Sequence, residues 1–251
     1  MNNEAMPTEK YTNGNKWVRW APNVGTGIAF ASLALMVLAY YAATHWLVSQ
    51  VSVILVLGIS TNIFLNVVLP VWWIVYHRKQ PLSELGITTN RWLISLLISI
   101  GVGGFTAIRL HQMVSGINWL PHVLLNIASF WEPFFVYGWL QLRFDRAFGI
   151  IPGIILAGLS FTAYHIGTYP PDALLMFLFV GMLYGAVFRI TSNLLILWPL
   201  AFPIGSSIGT LMGGMEFTWD HVTIWAIILA VQLIFIGYTW RRQHRRYQHK
   251  E

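Results

Sequence analysis

Long apolar runs separated by short polar punctuation dominate the chain beyond residue 22. Eight can be drawn, over residues 23–44, 51–76, 92–110, 120–140, 150–167, 173–190, 193–212 and 221–240. Most approach the roughly 20 residues that a helix needs to cross the hydrocarbon core of a bilayer. Only Thr191 and Ser192 divide the sixth run from the seventh, and Pro199 and Pro203 interrupt the seventh. The pattern predicts an all-α fold, a polytopic transmembrane helical bundle of about eight spans. It divides the chain into a short polar cytoplasmic N-terminus (1–20), a single transmembrane helical domain (21–240) and a basic cytoplasmic tail (241–251).

Composition agrees with that division. Of the 251 residues, 56% are hydrophobic and only 10% charged, with a mean hydropathy of +0.60. Soluble domains carry roughly 25% charged residues. No cysteine is present, which excludes disulfides, thiolate metal sites and cysteine nucleophiles. The net charge of +6 reads as topology once it is placed along the chain. With the N-terminus inside, fourteen of the fifteen Lys and Arg residues fall on cytoplasmic segments, and Arg109 alone falls toward the other side. Asp172, Glu216 and Asp220 lie outside. Such a Lys/Arg bias puts both termini in the cytoplasm and asks for an even number of spans. Trp17, Trp20, Trp46, Trp119, Trp219 and Trp240 stand near span ends, where amphipathic rings anchor at headgroup depth. The terminal RRQHRRYQHK adjoins a span, so anionic lipid headgroups are its expected contact and nucleic acid is not. The first 16 residues lack the basic-then-apolar order of a cleaved signal peptide. The expected location is a prokaryotic plasma membrane, with the chain a multi-pass integral protein.

Candidate chemistry is sparse against this background. Of nine Asp and Glu residues, only Glu132, in WEPFFVYGWLQLRF, falls well inside a predicted span. An ionisable group there is costly and marks a functional position by default. In the next span, LAGLSFTAYHIGTYPP places Phe161 and His165 four residues apart on one helix face. His165 follows the expected start of its span by about 12 residues, roughly 18 Å, and Glu132 precedes the cytoplasmic end of its own by nearly ten, roughly 14 Å. The two are thus placed at similar depth on antiparallel neighbours, and His165 is read as the deepest histidine. A carboxylate and an imidazole can polarise one water between them. They are also two potential zinc ligands, one short of the three that a catalytic zinc normally takes, so no metal is assigned. HExxH, GxSxG and the phosphate loop GxxxxGK[ST] are absent. In the broken stretch around Pro199, Pro203 and Gly205, Ser206 and Ser207 follow the break and are candidates to turn hydroxyls inward. Gly181 with Gly185, and Gly205 with Gly209, form GxxxG pairs that license close helix packing and nothing narrower.

Together these features resemble the CPBP family of intramembrane proteases, which includes CAAX-prenyl endopeptidases and bacteriocin-immunity-type (Abi) proteins. The resemblance covers residues 84–212 and rests on Glu132-Pro133-Phe134-Phe135-Val136-Tyr137 for the family's EExxxR, and on Phe161-Thr-Ala-Tyr-His165 for its FxxxH. ELGITTNRWL, from Glu84 to Leu93, and TSNLLILWP, from Thr191 to Pro199, are similar to segments flanking the family core. The resemblance implies Glu132 as water activator and His165 as its partner, with Phe161 in support, in peptide-bond hydrolysis by either a metal-dependent or a metal-free route. Three departures stand beside it. Pro133 replaces the second glutamate, and Tyr137, a hydrogen-bond donor without charge, replaces the arginine. Where a later histidine and Asn or Asp belong, the chain has Phe202, Pro203 or Ile204 and then Ser206 or Ser207. Three readings follow. The first is an intramembrane endopeptidase acting on a membrane-associated or lipidated protein or peptide. The second is a non-proteolytic relative that binds a lipid, peptide or membrane-protein partner in the same cavity. The third is a small proton-coupled transporter, which lacks the internal repeats common in that class. Membrane lipids are partners in all three.

Overall fold

The computed structural model describes residues 16–114 and 118–248, and among them every regular element is helical. Residues 1–15 of the expected N-terminal segment and 249–251 of the expected tail lie outside the described residues. The helices are α1 (Val24–His45), α2 (Gln50–His77), α3 (Trp92–Met113), α4 (Leu120–Ala128), α5 (Trp131–Phe148), α6 (Ile150–Ala163), α7 (Pro171–Thr191), α8 (Ala201–Met212) and α9 (Trp219–Gln248). α1 starts at an Asn23 cap, whose side chain accepts from Thr26 N while Asn23 N donates to the Thr26 hydroxyl, both at 3.2 Å. This reciprocal pairing satisfies two of the helix's orphan N–H groups. α2 winds as a π-helix over Ile54–Val68 and again over Trp72–His77.

α1, α2, α3, α7 and α9 are long and apolar enough to span, and α4 with α5 makes a sixth span bent by 43°. The eight expected segments all recur as helices, but two are too short to count as spans. α6 has 14 residues and α8 has 12. At 1.5 Å per residue they reach only about 21 and 18 Å, against a hydrocarbon core of about 30 Å. α6 stops at Ala163 because the chain turns through Tyr164–Pro170, and α8 starts late because a 3₁₀ turn over Leu194–Ile196 precedes it. The chain is an integral membrane protein, and large side chains such as Leu35, Leu97, Phe179 and Ile234 lie exposed on the outer faces of the long helices.

α5 is the centre of the bundle. Every residue from Ser129 to Phe144 is buried, which accounts for a helix that is apolar all round instead of along one stripe. Its polar side chains tie it to several neighbours. Trp139 Nε1 donates to Ser32 Oγ of α1 at 3.0 Å, and Gln141 Nε2 donates to the Gly185 carbonyl of α7 at 2.9 Å. At the end of α5, Arg143 and Arg146 close on Glu84, and Arg143 also donates to the Glu84 carbonyl at 2.6 Å. Glycines set the spacing of its neighbours. A Cβ at Gly181 would stand 2.9 Å from Phe161 Cβ and 3.0 Å from Gly158 Cα, so α6 and α7 meet nearly backbone to backbone. A Cβ at Gly138 would stand 2.5 Å from the Leu85 carbonyl oxygen.

Candidate active site

The approach to Glu132 begins with the break between α4 and α5. Ser129 and Phe130 leave the helix, and the carbonyls freed there find partners inside the protein. The Ser129 N–H and hydroxyl both donate to Leu125 O, and Trp198 Nε1 donates to Ile127 O at 2.8 Å. Irregular backbone at membrane depth persists only where it is satisfied in this way. α5 restarts at Trp131, which puts Glu132 in a first turn where backbone dipoles favour an anion. Pro133 is also in that turn, where a missing N–H costs no helical hydrogen bond. The residue that departs from the EExxxR pattern is therefore well matched to the restart.

Glu132 is 8% exposed. The Tyr164 hydroxyl, itself buried, donates to Glu132 Oε1 across the α5–α6 junction. Tyr164 occupies the turn after α6, and His165 follows it, with ring centroids 4.3 Å apart. The carboxylate adjoins this tyrosine at its hydroxyl and the imidazole adjoins it at its ring. His165 Nδ1 lies 2.7 Å from the Phe161 carbonyl. A carbonyl can only accept, so Nδ1 carries the hydrogen and the neutral ring offers its lone pair at Nε2. The ring is half-buried, walled by Phe161, Tyr169 and Phe177 with centroids at 5.1, 5.4 and 4.6 Å.

Other candidate positions take different parts. Tyr137 does not reach toward the carboxylate. Its hydroxyl donates to the Gly181 carbonyl at 3.3 Å, one helical turn before the bond that Gln141 makes to Gly185, so both residues bind α5 to α7. Phe161 packs edge-on to Tyr164 and Phe202, with centroids 5.9 and 5.8 Å away. Phe202, one of the three positions at which a histidine is expected, closes an aromatic wall with Tyr137 and Tyr184. Ser206 is half-buried, while Ser207 is fully buried and donates to Pro203 O at 2.7 Å.

Two groups escaped sequence reasoning. Tyr164 is one, although it stands beside His165 in FTAYH. The other is a buried cluster between α4 and α8. Asn126 donates to Ser207 Oγ at 3.3 Å and to His122 O at 2.8 Å, and Thr210 Oγ1 donates to Ser207 O at 3.1 Å. With its single proton so committed, Thr210 accepts from His122 Nδ1 at 3.0 Å. His122, placed by its sequence position at a span edge, is 4% exposed and more fully covered than His165.

No group of three His, Asp or Glu side chains gathers among the described residues. Glu132 and His165 remain two donors, and a catalytic zinc takes three. The donor set does not fit that metal, so the chemistry below uses only the side chains themselves.

Residues 114–202 match the family model described as Type II CAAX prenyl endopeptidase Rce1-like. The matched segment holds Glu132, Tyr137, Phe161, Tyr164, His165 and Phe202 and leaves out Ser206 and Ser207. It is shorter than the expected 84–212, and ELGITTNRWL falls outside it. No curated protein and no solved structure matches the chain. The chain is thus similar to the Rce1-like CAAX-protease family through residues 114–202, the segment in which the buried carboxylate, the tyrosine and the histidine all lie.

Proposed function

We propose that the protein is an intramembrane endopeptidase that hydrolyses a peptide bond of a membrane-associated or lipidated protein or peptide. The observation that carries this reading is the buried Glu132 carboxylate held by Tyr164 directly beside His165. Glu132 takes a proton from a water as the water's oxygen bonds to the scissile carbonyl carbon. His165 Nε2 accepts the second hydrogen of that water and fixes its direction of attack. The carbon–nitrogen bond then breaks as the captured proton passes to the amine, which leaves a free acid and a free amine. Tyr164 positions Glu132, and Phe161 holds His165 through its carbonyl.

The test is turnover of a broad set of plain and lipidated peptides by the full chain in lipid nanodiscs, with and without chelator. Glu132→Gln and His165→Ala should each lower turnover by about 10²–10⁴-fold, the usual worth of a positioned acid or base. Turnover unaffected by either substitution, or none on any peptide, overturns the reading.

One observation favours a second reading, a family member that holds a lipid or peptide without cutting it. The wall of Phe202 against Tyr137, Phe161 and Tyr184 puts apolar surface at one of the three positions at which the family pattern expects an imidazole. Specific binding without turnover in the same assay selects it. The placement of both termini in the cytoplasm, and the division into 1–20, 21–240 and 241–251, belong to this proposal and rest on the Lys/Arg bias. Because the chain has no cysteine, single cysteines introduced near each end can be tested directly for labelling from either side.

A further inference from the structure

A second polar cluster adjoins the site on the far side of Tyr164. Tyr40 of α1 packs with its ring centroid 5.4 Å from Tyr164 and 5.7 Å from Trp131. Its hydroxyl donates to Asn62 Oδ1 at 3.2 Å, and the same oxygen accepts from Asn66 Nδ2 at 3.2 Å. From α9, Gln232 Nε2 donates to the Asn62 backbone carbonyl at 3.0 Å. Asn62, Asn66 and Gln232 are all 0% exposed. Asn62 is the hub to which each of the other three side chains bonds.

Three atoms of this cluster are buried with no partner in the protein: Asn62 Nδ2, Asn66 Oδ1 and Gln232 Oε1. They make one donor in need of an acceptor and two acceptors in need of donors. Buried polar atoms are costly unless paired, most of all at membrane depth. A cation would face the Asn62 N–H group, and an apolar occupant would leave all three atoms unmet. Water has two hydrogens and free lone pairs, the complement of this set, and buried waters typically make about three hydrogen bonds.

We infer that Asn62, Asn66 and Gln232 form a buried water-binding site that supplies water to the Glu132–Tyr164 pair past Tyr40. The supply role rests on the peptidase reading; the water site stands without it. A hydrolase enclosed by lipid needs a store of its co-substrate, and this cluster lies one aromatic ring away from the tyrosine that holds the carboxylate.

The experiment is a structure of the full chain in nanodiscs at a resolution that shows ordered water, joined to kinetics of Gln232→Leu and Asn66→Leu. Density at about 2.7–3.2 Å from the three atoms is expected. Loss of either amide should lower kcat about 2- to 10-fold at unchanged KM, the scale of one neutral hydrogen bond. Should the leucine variants fail to fold, radiolytic labelling of the unmodified protein in H₂¹⁸O gives an independent readout. Strong ¹⁸O incorporation at Tyr40 is expected, and none overturns the site. Amides that pair with one another, or an absence of density at the three atoms, overturn the site whatever the activity. Occupied density with unchanged kcat in both variants overturns the supply role. Occupied density in a protein indifferent to Glu132→Gln and His165→Ala overturns the peptidase reading and leaves the water site standing.

Discussion

Replacing Tyr164 by phenylalanine tests whether Glu132 is held as an anion. The ring packs on Tyr40, Trp131, Phe161 and His165 and survives the substitution, so the change removes one oxygen and one hydrogen bond. A hydrogen bond to a charged acceptor contributes about 1.5–3 kcal/mol, and one to a neutral acceptor about 0.5–1.5 kcal/mol. Tyr164→Phe should therefore cost about 1.5–3 kcal/mol when residue 132 is glutamate and about 0.5–1.5 kcal/mol in the Glu132→Gln background, where the acceptor is an amide oxygen. The difference, about 1–1.5 kcal/mol, is the coupling between the two side chains. Reversible unfolding of the four proteins in mixed micelles measures it through a double-mutant cycle. Coupling below about 0.3–0.5 kcal/mol, the limit within which independent sites add, would refute the reasoning. Glu132 would then be a neutral acid, unable to take a proton from water, even if the hydrogen bond itself were intact.

Two further substitutions separate packing from chemistry. Gly181→Ala puts a methyl group 2.9 Å from Phe161 Cβ and should cost about 1–3 kcal/mol of stability, whereas Gly27→Ala, with nothing within 4 Å, should cost none; the same unfolding measurement checks both. Tyr137→Phe removes the donor to Gly181 O and should cost about 0.5–1.5 kcal/mol with turnover unchanged. Loss of turnover at preserved stability would instead place Tyr137 at the reacting atoms.

The sequence carried the helical class and the membrane setting, because both rest on long apolar runs that tertiary contacts do not alter. It singled out Glu132 and His165 as candidates, because a carboxylate deep in an apolar run has few bland explanations, and the structure buries the first and packs the second on Tyr164. The helix restart was hidden. Ser129 and Phe130 are ordinary helix residues, and Pro133 after them reads as a defect in a family motif until the start of α5 is seen. Tyr164 was hidden for a related reason, since a tyrosine in an aromatic-rich span carries no sign that its hydroxyl is aimed at a carboxylate. His122 does stand near a span edge, in the first turn of α4, but its burial was hidden because α8 covers it from 88 residues away. The end of α9 ran past expectation to Gln248, as Arg and Gln continue a helix readily once they leave the membrane.

Three buried polar groups among the described residues differ in how they are satisfied, and that difference sorts their roles better than burial does. In the cluster of His122, Asn126, Ser207 and Thr210, each hydroxyl proton has a partner and both acceptor hydroxyls are used, so it ties α4 to α8 as glue. It stands beside the part of α8 where the family pattern would place a histidine and an amide, yet its bonds are spent on one another. Glu132 receives one donor from Tyr164, and His165 spends one nitrogen on Phe161, so each keeps capacity for a reacting molecule. The Asn62 cluster has its capacity unmet at three atoms. Chemistry needs groups held firmly at one end and uncommitted at the other. By that criterion Glu132, Tyr164, His165 and Tyr40 are the groups on which the proposed hydrolysis draws, and a position in α8 without the histidine of the family pattern lacks a donor but leaves the proposed water-activating pair in place.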